Sequence, residues 1–188
     1  MKKLMVDMDD VITHNYTMKF INDFLGTNMN LEEQTGFYLQ NLTGSRLEEY
    51  YKYISTRNLY GDCPMLEDCA RVLELLNNKY ELYIATSFLW NQNSSNNDSS
   101  GTNLKNKYYY LKEKLPFIKP EQYIFITNKS LLNMDIKIDD RIDNLNNCET
   151  KLLFSNWHNR NIPKEELESK NIIVVDSWKD IEKELINN

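Results

Sequence analysis

The sequence predicts an α/β fold: a Rossmann-like, mostly parallel sheet with helices on both faces and a small helical cap inserted after the first strand. Two observations support it. Short apolar runs alternate with segments of helical periodicity along the 188 residues, which is typical of a parallel sheet. About 45 residues separate the first strand from the helix before the second strand, more than an ordinary connecting loop needs.

Each predicted element follows from the spacing of its apolar residues. The first strand, Leu4 to Val6, is an apolar run that ends in a burst of acids, as expected for a buried strand meeting its loop. Helical spacing appears twice in the next 45 residues. The elements predicted after the first strand are helices at 20–25, 47–54 and 66–77, a strand at 80–85, a helix at 105–115, strands at 123–126, 134–138, 151–154 and 172–175, and a helix at 178–186.

The chain divides into a core of residues 1–14 and 62–188 and a cap of residues 15–61. Asp62-Cys63-Pro64 breaks the helical pattern where the chain returns to the core. Residues 91–103, NQNSSNNDSSGTN, contain no apolar side chain and are predicted to form a flexible, Asn/Ser-rich surface loop.

Composition excludes several classes of protein. The net charge is −6, with 28 acidic and 22 basic residues and no basic block, which disfavours a partner that is a nucleic acid polymer. The three cysteines lack the C-x-x-C spacing of a zinc site, so we expect reduced thiols. No apolar segment approaches the length of a membrane span, and a cytoplasmic protein without a membrane partner is expected. The sequence leaves a homodimer open.

Polar clusters directly follow three predicted strands. They are Asp7-Met8-Asp9-Asp10, Thr86-Ser87 and Asp139-Asp140. Because the carboxyl ends of parallel strands converge on one ligand crevice, clusters far apart in sequence are expected to share a site.

These residue types favour phosphoryl transfer with a hard metal ion. Asp7, Asp9 and the Asp139-Asp140 pair offer oxygen ligands that suit Mg²⁺, and crowded carboxylates repel one another unless a cation holds them. A carboxylate can attack phosphorus while a second one, two residues along an extended segment, handles a proton. The chain has no glycine-rich phosphate cradle, so Thr86 and Lys129 are the candidate phosphate donors.

These residues, in this order, carry a resemblance to a known superfamily. D-x-D-x-V at 7–11, strand-end Thr86, Lys129 and then Asp139-Asp140 resemble the haloacid dehalogenase (HAD) superfamily of phosphohydrolases. Within it, MVDMDDVIT, the tripeptide at 37–39 and NKSLLNMDIKIDDR resemble the 5′(3′)-deoxyribonucleotidases. The resemblance implies a HAD-like core and hydrolysis of (deoxy)nucleoside monophosphates to nucleoside and phosphate through an aspartyl-phosphate intermediate.

The resemblance also implies a role for each matching residue. Asp7 is similar to the nucleophile and Asp9 to the acid and base. Asp7, the backbone carbonyl of Asp9 and the Asp139-Asp140 pair match the magnesium ligands, with the direct ligand of the pair left open. The implied substrate-binding residues are Thr86, Ser87, Lys129, Phe37, Tyr38 and Leu39. The sequence departs from the family pattern at Asp10, where many members have glycine, and the aromatic residue expected shortly after the first motif falls at Asn15 or Tyr16. The polar stretch 91–103 also interrupts the segment after Thr86.

Particular residues bear on the other interpretations of this sequence. An EF-hand calcium loop fails because Val11 and Met18 occupy positions that need oxygen ligands. A phospho-receiver domain also gathers acids, a threonine and a lysine, but its acceptor aspartate follows the third strand, where this chain has Thr127-Asn128. A phosphatase of another small ester, such as a sugar phosphate, stays open as the alternative. Phe37, Tyr38 and Leu39 could equally form cap core, and His14 and His158 are interpreted as structural or surface residues.

Overall fold

A six-stranded parallel sheet forms the centre of the computed structural model, which describes residues 1–14, 17–89 and 99–187. The spatial order of the strands is β3-β2-β1-β4-β5-β6, and each recorded pairing is parallel. The strands are β1 Lys3–Val6, β2 Glu81–Thr86, β3 Tyr123–Phe125, β4 Ile136–Asp139, β5 Thr150–Phe154 and β6 Ile172–Val175.

Helices connect and cover these strands. Consecutive residues of β1 and all four residues of β4 are buried, as expected for strands covered on both faces. The helices are α1 Thr17–Leu25, α2 Leu47–Ser55, α3 Cys69–Lys79, α4 Ser99–Lys114, α5 Lys164–Ser169 and α6 Trp178–Glu182, which continues as a π-helical turn over Lys183–Asn187. Five 3-10 segments lie at Leu31–Glu33, Leu39–Arg46, Pro120–Gln122, Lys129–Leu131 and Ile142–Leu145. The predicted α/β fold is confirmed.

Two details of the sequence interpretation were wrong. Helix α4 begins at Ser99, so the loop predicted for 91–103 is helical over 99–103, whereas residues 91–98 lie outside the described residues. A hydrogen bond allows a polar residue of this segment to be buried: Asn103 is 4% exposed, and its side-chain amide donates to the carbonyl of Phe88 at 3.1 Å. The short helix α5 was not predicted, because it buries no residue and so carries no apolar stripe.

The register of the sheet brings the predicted strand ends to one level. Val6 pairs with Ile84 of β2 on one side and with Ile138 of β4 on the other. The Asp7 amide then donates to the Ile138 carbonyl at 2.9 Å. The residues that follow β1, β2 and β4 therefore emerge next to one another along the carboxyl edge.

Residues 17–61 of the segment between β1 and α3 carry α1, α2 and two 3-10 segments. Their packing includes an edge-on contact between the rings of Phe24 and Tyr50, 5.4 Å apart, and Tyr50 is fully buried. The two connections to the core run side by side: the His14 amide donates to the Pro64 carbonyl and the Leu66 amide to the Ile12 carbonyl, both at 2.9 Å. The division into a 15–61 cap and a separate core stays a prediction.

Asp10 has a left-handed backbone, with φ of 59°. Glycine adopts this conformation without steric cost, and aspartate is one of the few other residues that tolerate it. The left-handed conformation is thus compatible with the aspartate that this chain has at position 10.

No helix within the three described ranges has both the length and the apolar character that crossing a bilayer requires.

Candidate active site

Three buried carboxylates meet at the carboxyl edge of the sheet. Asp7 follows β1, Asp139 ends β4 and Asp140 comes next; each offers an oxygen, and these oxygens all lie within 4.8 Å of one another. All three residues are at most 5% exposed. Such a group of hard oxygen donors could hold a divalent cation.

Charged side chains of both signs surround the Asp7 carboxylate. Its Oδ1 is 2.5 Å from Lys129 Nζ and accepts the Met8 amide at 2.6 Å. Burial raises the pKa of Asp7 well above its ordinary value; Lys129 opposes this shift, and the neighbouring aspartates reinforce it. A bound cation would remove that penalty and leave Asp7 ionised, the form that a nucleophile requires.

Asp139 and Asp140 have different surroundings. Asp139 Oδ2 accepts from Lys129 at 2.9 Å, and its Oδ1 accepts from the Arg141 amide at 3.0 Å and the Asn144 side chain at 2.9 Å. Asp140 Oδ2 lies 2.7 Å from His158 Nε2 and 3.2 Å from Asn156 Nδ2, and the Asp140 carboxyl also contacts that of Asp139. Asp139 thus accepts from nitrogen donors at both oxygens, whereas these nitrogen donors reach Asp140 at Oδ2.

Asp9 lies between a phenol and an ammonium group. The Tyr60 hydroxyl donates to Oδ1 at 2.6 Å, and Lys107 donates to Oδ2. Burial favours the protonated acid, but Lys107 and Tyr60 outweigh it and hold the pKa of Asp9 below its ordinary value. Burial, and after it the charge of Asp9, raises the pKa of Tyr60 well above its ordinary value. Tyr60 therefore keeps its proton and donates it in the hydrogen bond to Asp9.

The end of β2 joins this group through Lys107. Lys107 Nζ, on α4, donates to Thr86 Oγ1 at 2.7 Å and to the Ser87 carbonyl at 2.5 Å. Lys107 is 2% exposed, so its charge is directed entirely into the site. Two buried lysines, Lys107 and Lys129, therefore flank the two aspartates of the first motif, an arrangement suited to a phosphate dianion.

A cavity of about 270 Å³ opens above these groups. The predicted tripeptide forms part of its wall, with Phe37 38%, Tyr38 55% and Leu39 3% exposed. Phe37 reaches across to the core: its ring centroid is 5.0 Å from that of His158, and Arg141 lies 4.5 Å over its face. The exposure of Phe37 and Tyr38 argues against a role as cap core, whereas Leu39 is buried. The cavity lining further includes Asp7, Asp9, His14, Leu59, Tyr60, Ser87, Leu89, Asn103, Lys107, Lys129, Asp140, Arg141 and Trp157.

The structure brings the sequence-predicted residues together and adds others. Asp7, Asp9, Thr86, Ser87, Lys129, Asp139 and Asp140 form one connected group. Sequence reasoning missed Lys107 and Tyr60. It also assigned His158 to a structural or surface role, whereas His158 is 7% exposed in its side chain and contacts Asp140. A signal for Lys107 existed: it shares the buried face of α4 with Asn103, Tyr110 and Leu111, an unusual place for a lysine.

Comparison with known proteins identifies the family. Residues 1–187 match the model of the family described as "5' nucleotidase, deoxy (Pyrimidine), cytosolic type C protein". The chain belongs to this family. The predicted nucleoside monophosphate phosphatase of the HAD superfamily, a phosphoric monoester hydrolase, is thereby confirmed.

Curated relatives agree with this nucleotidase family. The 5′(3′)-deoxyribonucleotidase of Bacillus subtilis (strain 168) is 33% identical over 145 residues, which cover 72% of this chain and 75% of the relative. The protein of the same name from Bacillus phage SPbeta matches with the same identity and coverage.

Solved structures show the same fold at low identity. A haloacid dehalogenase-like hydrolase of Burkholderia xenovorans LB400 superimposes with a TM-score of 0.58 at 11% identity, covering 98% of this chain and 96% of that one. A HAD-superfamily hydrolase of Ehrlichia chaffeensis gives 0.50 at 13% identity, with coverage of 100% and 98%.

Proposed function

We propose that this chain hydrolyses deoxynucleoside monophosphates through a phosphate ester on Asp7, with Asp9 as acid and base and Mg²⁺ as the metal. The observation that carries the proposal is the place of Asp7. Its buried carboxylate lines the cavity, beside a cationic donor and within the group of three acids. A nucleophile, a phosphate-neutralising cation and metal-ligand oxygens are thus adjacent.

The residues present fit a magnesium ion. Burial, and after it the charge of Asp139, raises the pKa of Asp140 to about 8, as expected for acids crowded together without a full counter-charge. The candidate ligands are the carboxylates of Asp7 and Asp140 and the backbone carbonyl of Asp9, whose side chain is engaged elsewhere. When bound, the ion would neutralise negative charge on the carboxylates and the phosphate.

The hydrogen bonds favour Asp140 over Asp139 as the direct ligand. Asp139 has both oxygens bonded and bridges to Lys129, so its role is to hold that lysine against Asp7. His158 and Asn156 hold Asp140 at Oδ2, so Oδ1 is the Asp140 oxygen that these donors leave to a metal. Such outer partners fix the orientation of a ligating carboxylate.

Asp9 is placed for proton transfer. Its Oδ2 faces Lys107 and Thr86, the groups proposed to bind the phosphate. A phosphate dianion that binds Lys107 would weaken the interaction that keeps the pKa of Asp9 low, so that Asp9 can take a proton and donate it to the leaving oxygen as Asp7 attacks phosphorus. As a carboxylate it then takes a proton from the water that hydrolyses the aspartyl phosphate.

The shape and lining of the cavity favour a nucleoside. Its volume, about 270 Å³, suits a single small molecule, and its wall includes the exposed aromatic rings of Phe37 and Tyr38. An aromatic ring of the wall, such as that of Phe37, cannot hydrogen-bond an added hydroxyl, which favours deoxyribose over ribose if the sugar lies against it. The 5′(3′)-deoxyribonucleotidase names of the Bacillus and phage relatives agree with this substrate class.

Hydrolysis of a substrate panel tests the proposal directly. Deoxynucleoside monophosphates, ribonucleotides and sugar phosphates are compared by kcat/KM in the presence of Mg²⁺. We expect deoxynucleotides to be the best substrates. A sugar phosphate that exceeds every nucleotide would overturn the assigned substrate and favour the alternative small-ester phosphatase.

Phe37→Ala is expected to raise KM for deoxynucleoside monophosphates about 10-fold, the effect of losing one aromatic contact of ~1–1.5 kcal/mol. p-Nitrophenyl phosphate, whose small ring makes fewer contacts with the wall, should change by less than about 2-fold. Steady-state kinetics on both substrates measure the difference.

Tyr109→Ala is the matched control, because Tyr109 is an aromatic residue 56% exposed on α4 and is not part of the cavity lining. It should leave KM for both substrates unchanged. An equal loss on both substrates in Phe37→Ala would mean that Phe37 supports the fold rather than the nucleoside.

Two further features belong to the proposal. A cytoplasmic location follows the family description, which includes the word cytosolic. The prediction from charge and composition that no nucleic acid polymer is a partner is unchanged. A homodimer also stays open.

A further inference from the structure

Tyr60 is the only tyrosine in the described ranges whose hydroxyl has a recorded bond to an acid of the proposed site. It is 7% exposed and lies on the return connection from α2 to the core. Four residues later, Pro64 pairs with His14 on the outgoing connection. Tyr60 thus connects the inserted helical segment to the first motif.

Both ends of the Asp9 carboxylate are engaged, but by different kinds of group. Tyr60 donates one O–H to Oδ1 at 2.6 Å, while Oδ2 faces Lys107 and Thr86. Tyr60 therefore fixes the direction of Oδ1, and Oδ2 is the oxygen that faces the groups proposed to bind the phosphate. Oδ2 is thus the oxygen placed to exchange the proton with the leaving group.

We propose that Tyr60 is a positioning residue for the Asp9 acid and base, holding Oδ2 toward the leaving group from the inserted segment. The inference rests on the proposed function of Asp9. It gives the inserted segment a role in proton transfer in addition to forming the cavity wall. Tyr60 itself makes no covalent bond and gives up no proton.

The ring of Tyr60 is held independently of its hydroxyl. It packs edge-on against Tyr110 with centroids 5.9 Å apart, and Lys107 Nζ lies 5.5 Å from the ring centroid. Tyr60→Phe therefore removes the bond to Asp9 while keeping the packing. Tyr110→Phe is the matched control, since the buried Tyr110 hydroxyl has no recorded partner in the described part of the chain.

The test measures the rate of phosphoenzyme formation as the leaving group is varied. With deoxynucleoside monophosphates and phenyl phosphate, whose leaving groups need a proton, Tyr60→Phe should slow formation about 10-fold with KM within about 2-fold. With p-nitrophenyl phosphate, which needs little protonation, the rate should change less than about 2-fold. Tyr110→Phe should match the wild type on all three substrates, and thermal unfolding checks that both variants are folded.

A double-mutant cycle with Asp9→Ala on phenyl phosphate provides the second measurement. If Tyr60 acts through Asp9, Tyr60→Phe should have less than about a 2-fold effect in the Asp9→Ala background. Equal slowing on good and poor leaving groups, no slowing at all, or a full effect without Asp9 would each overturn the inference. If Asp9→Ala itself lost no more activity on poor leaving groups than on good ones, the proposed role of Asp9 would fall first.

Discussion

Asp7→Asn is expected to lower turnover of a deoxynucleoside monophosphate by at least about 10⁴-fold, the scale of losing a catalytic nucleophile. The amide cannot attack phosphorus, and it also loses a charged oxygen of the three-acid group. The substitution also disturbs the donors around it, because Lys129 and the Met8 amide both contact the same oxygen of Asp7. Steady-state kinetics and acid-quench detection of a phosphorylated Asp7 both measure it.

The control for this substitution is Asp176→Asn. Asp176 follows the outer strand β6 at the same edge of the sheet but is exposed and outside the cavity lining. It should retain wild-type turnover. Asp9→Asn should behave differently from both, forming some phosphoenzyme from p-nitrophenyl phosphate but hydrolysing it slowly. Wild-type turnover by Asp7→Asn would exclude the covalent mechanism.

The convergence of the acids could be predicted because it depends on topology alone. Asp7 and Asp139-Asp140 directly follow apolar strands, and parallel strands place their carboxyl ends at one edge. The pairing of Val6 with Ile84 and Ile138 brings those strand ends to one level, as a shared site requires. Nothing about side-chain conformation was needed.

Lys107 and Tyr60 could not be assigned in the same way, because their places depend on how a helix and a connection pack over the edge. Lys107 lies within the predicted helix at 105–115, but a lysine on a helix is ordinarily solvated, and only the packing of α4 over the sheet edge buries it. Tyr60 is in irregular chain after α2, where no periodicity indicates which side chain turns inward. The direction of these residues is set by tertiary contacts that local patterns do not encode.

The choice between Asp139 and Asp140 also needed coordinates. Adjacent residues at a strand end point in different directions, and only their partners separate the roles. The Arg141 amide and the Asn144 side chain engage Asp139, whereas His158, provided by the chain after β5, engages Asp140. The sequence alone gave no reason to connect His158 with an acid 18 residues earlier.

Chelation of divalent ions is expected to abolish activity, and added Mg²⁺ to restore it, because Asp7 and Asp140 cannot both carry full charge at this burial without a cation. Ca²⁺ should restore little activity, since its longer and more flexible coordination would misplace phosphorus relative to Asp7. Rates after exhaustive chelation and after addition of each ion measure this, and full activity in chelator would refute it.

Metal binding should also appear as stability, independently of catalysis. At 100-fold the dissociation constant, Mg²⁺ adds about 2.7 kcal/mol to the free energy of unfolding, which raises Tm by about 5–10 °C for a domain of this size. At a fixed Mg²⁺ concentration the gain should be smaller at pH 5.5 than at pH 8, because burial raises the pKa of Asp140 to about 8 and protons then compete with the ion. Asp140→Asn should be at least as stable as wild type without metal, since it removes a poorly compensated buried charge, yet gain almost nothing from Mg²⁺. Asp176→Asn should show the full wild-type gain. If Asp140→Asn kept that gain while Asp139→Asn lost it, the direct ligand would be Asp139 and the roles of the pair would be reversed.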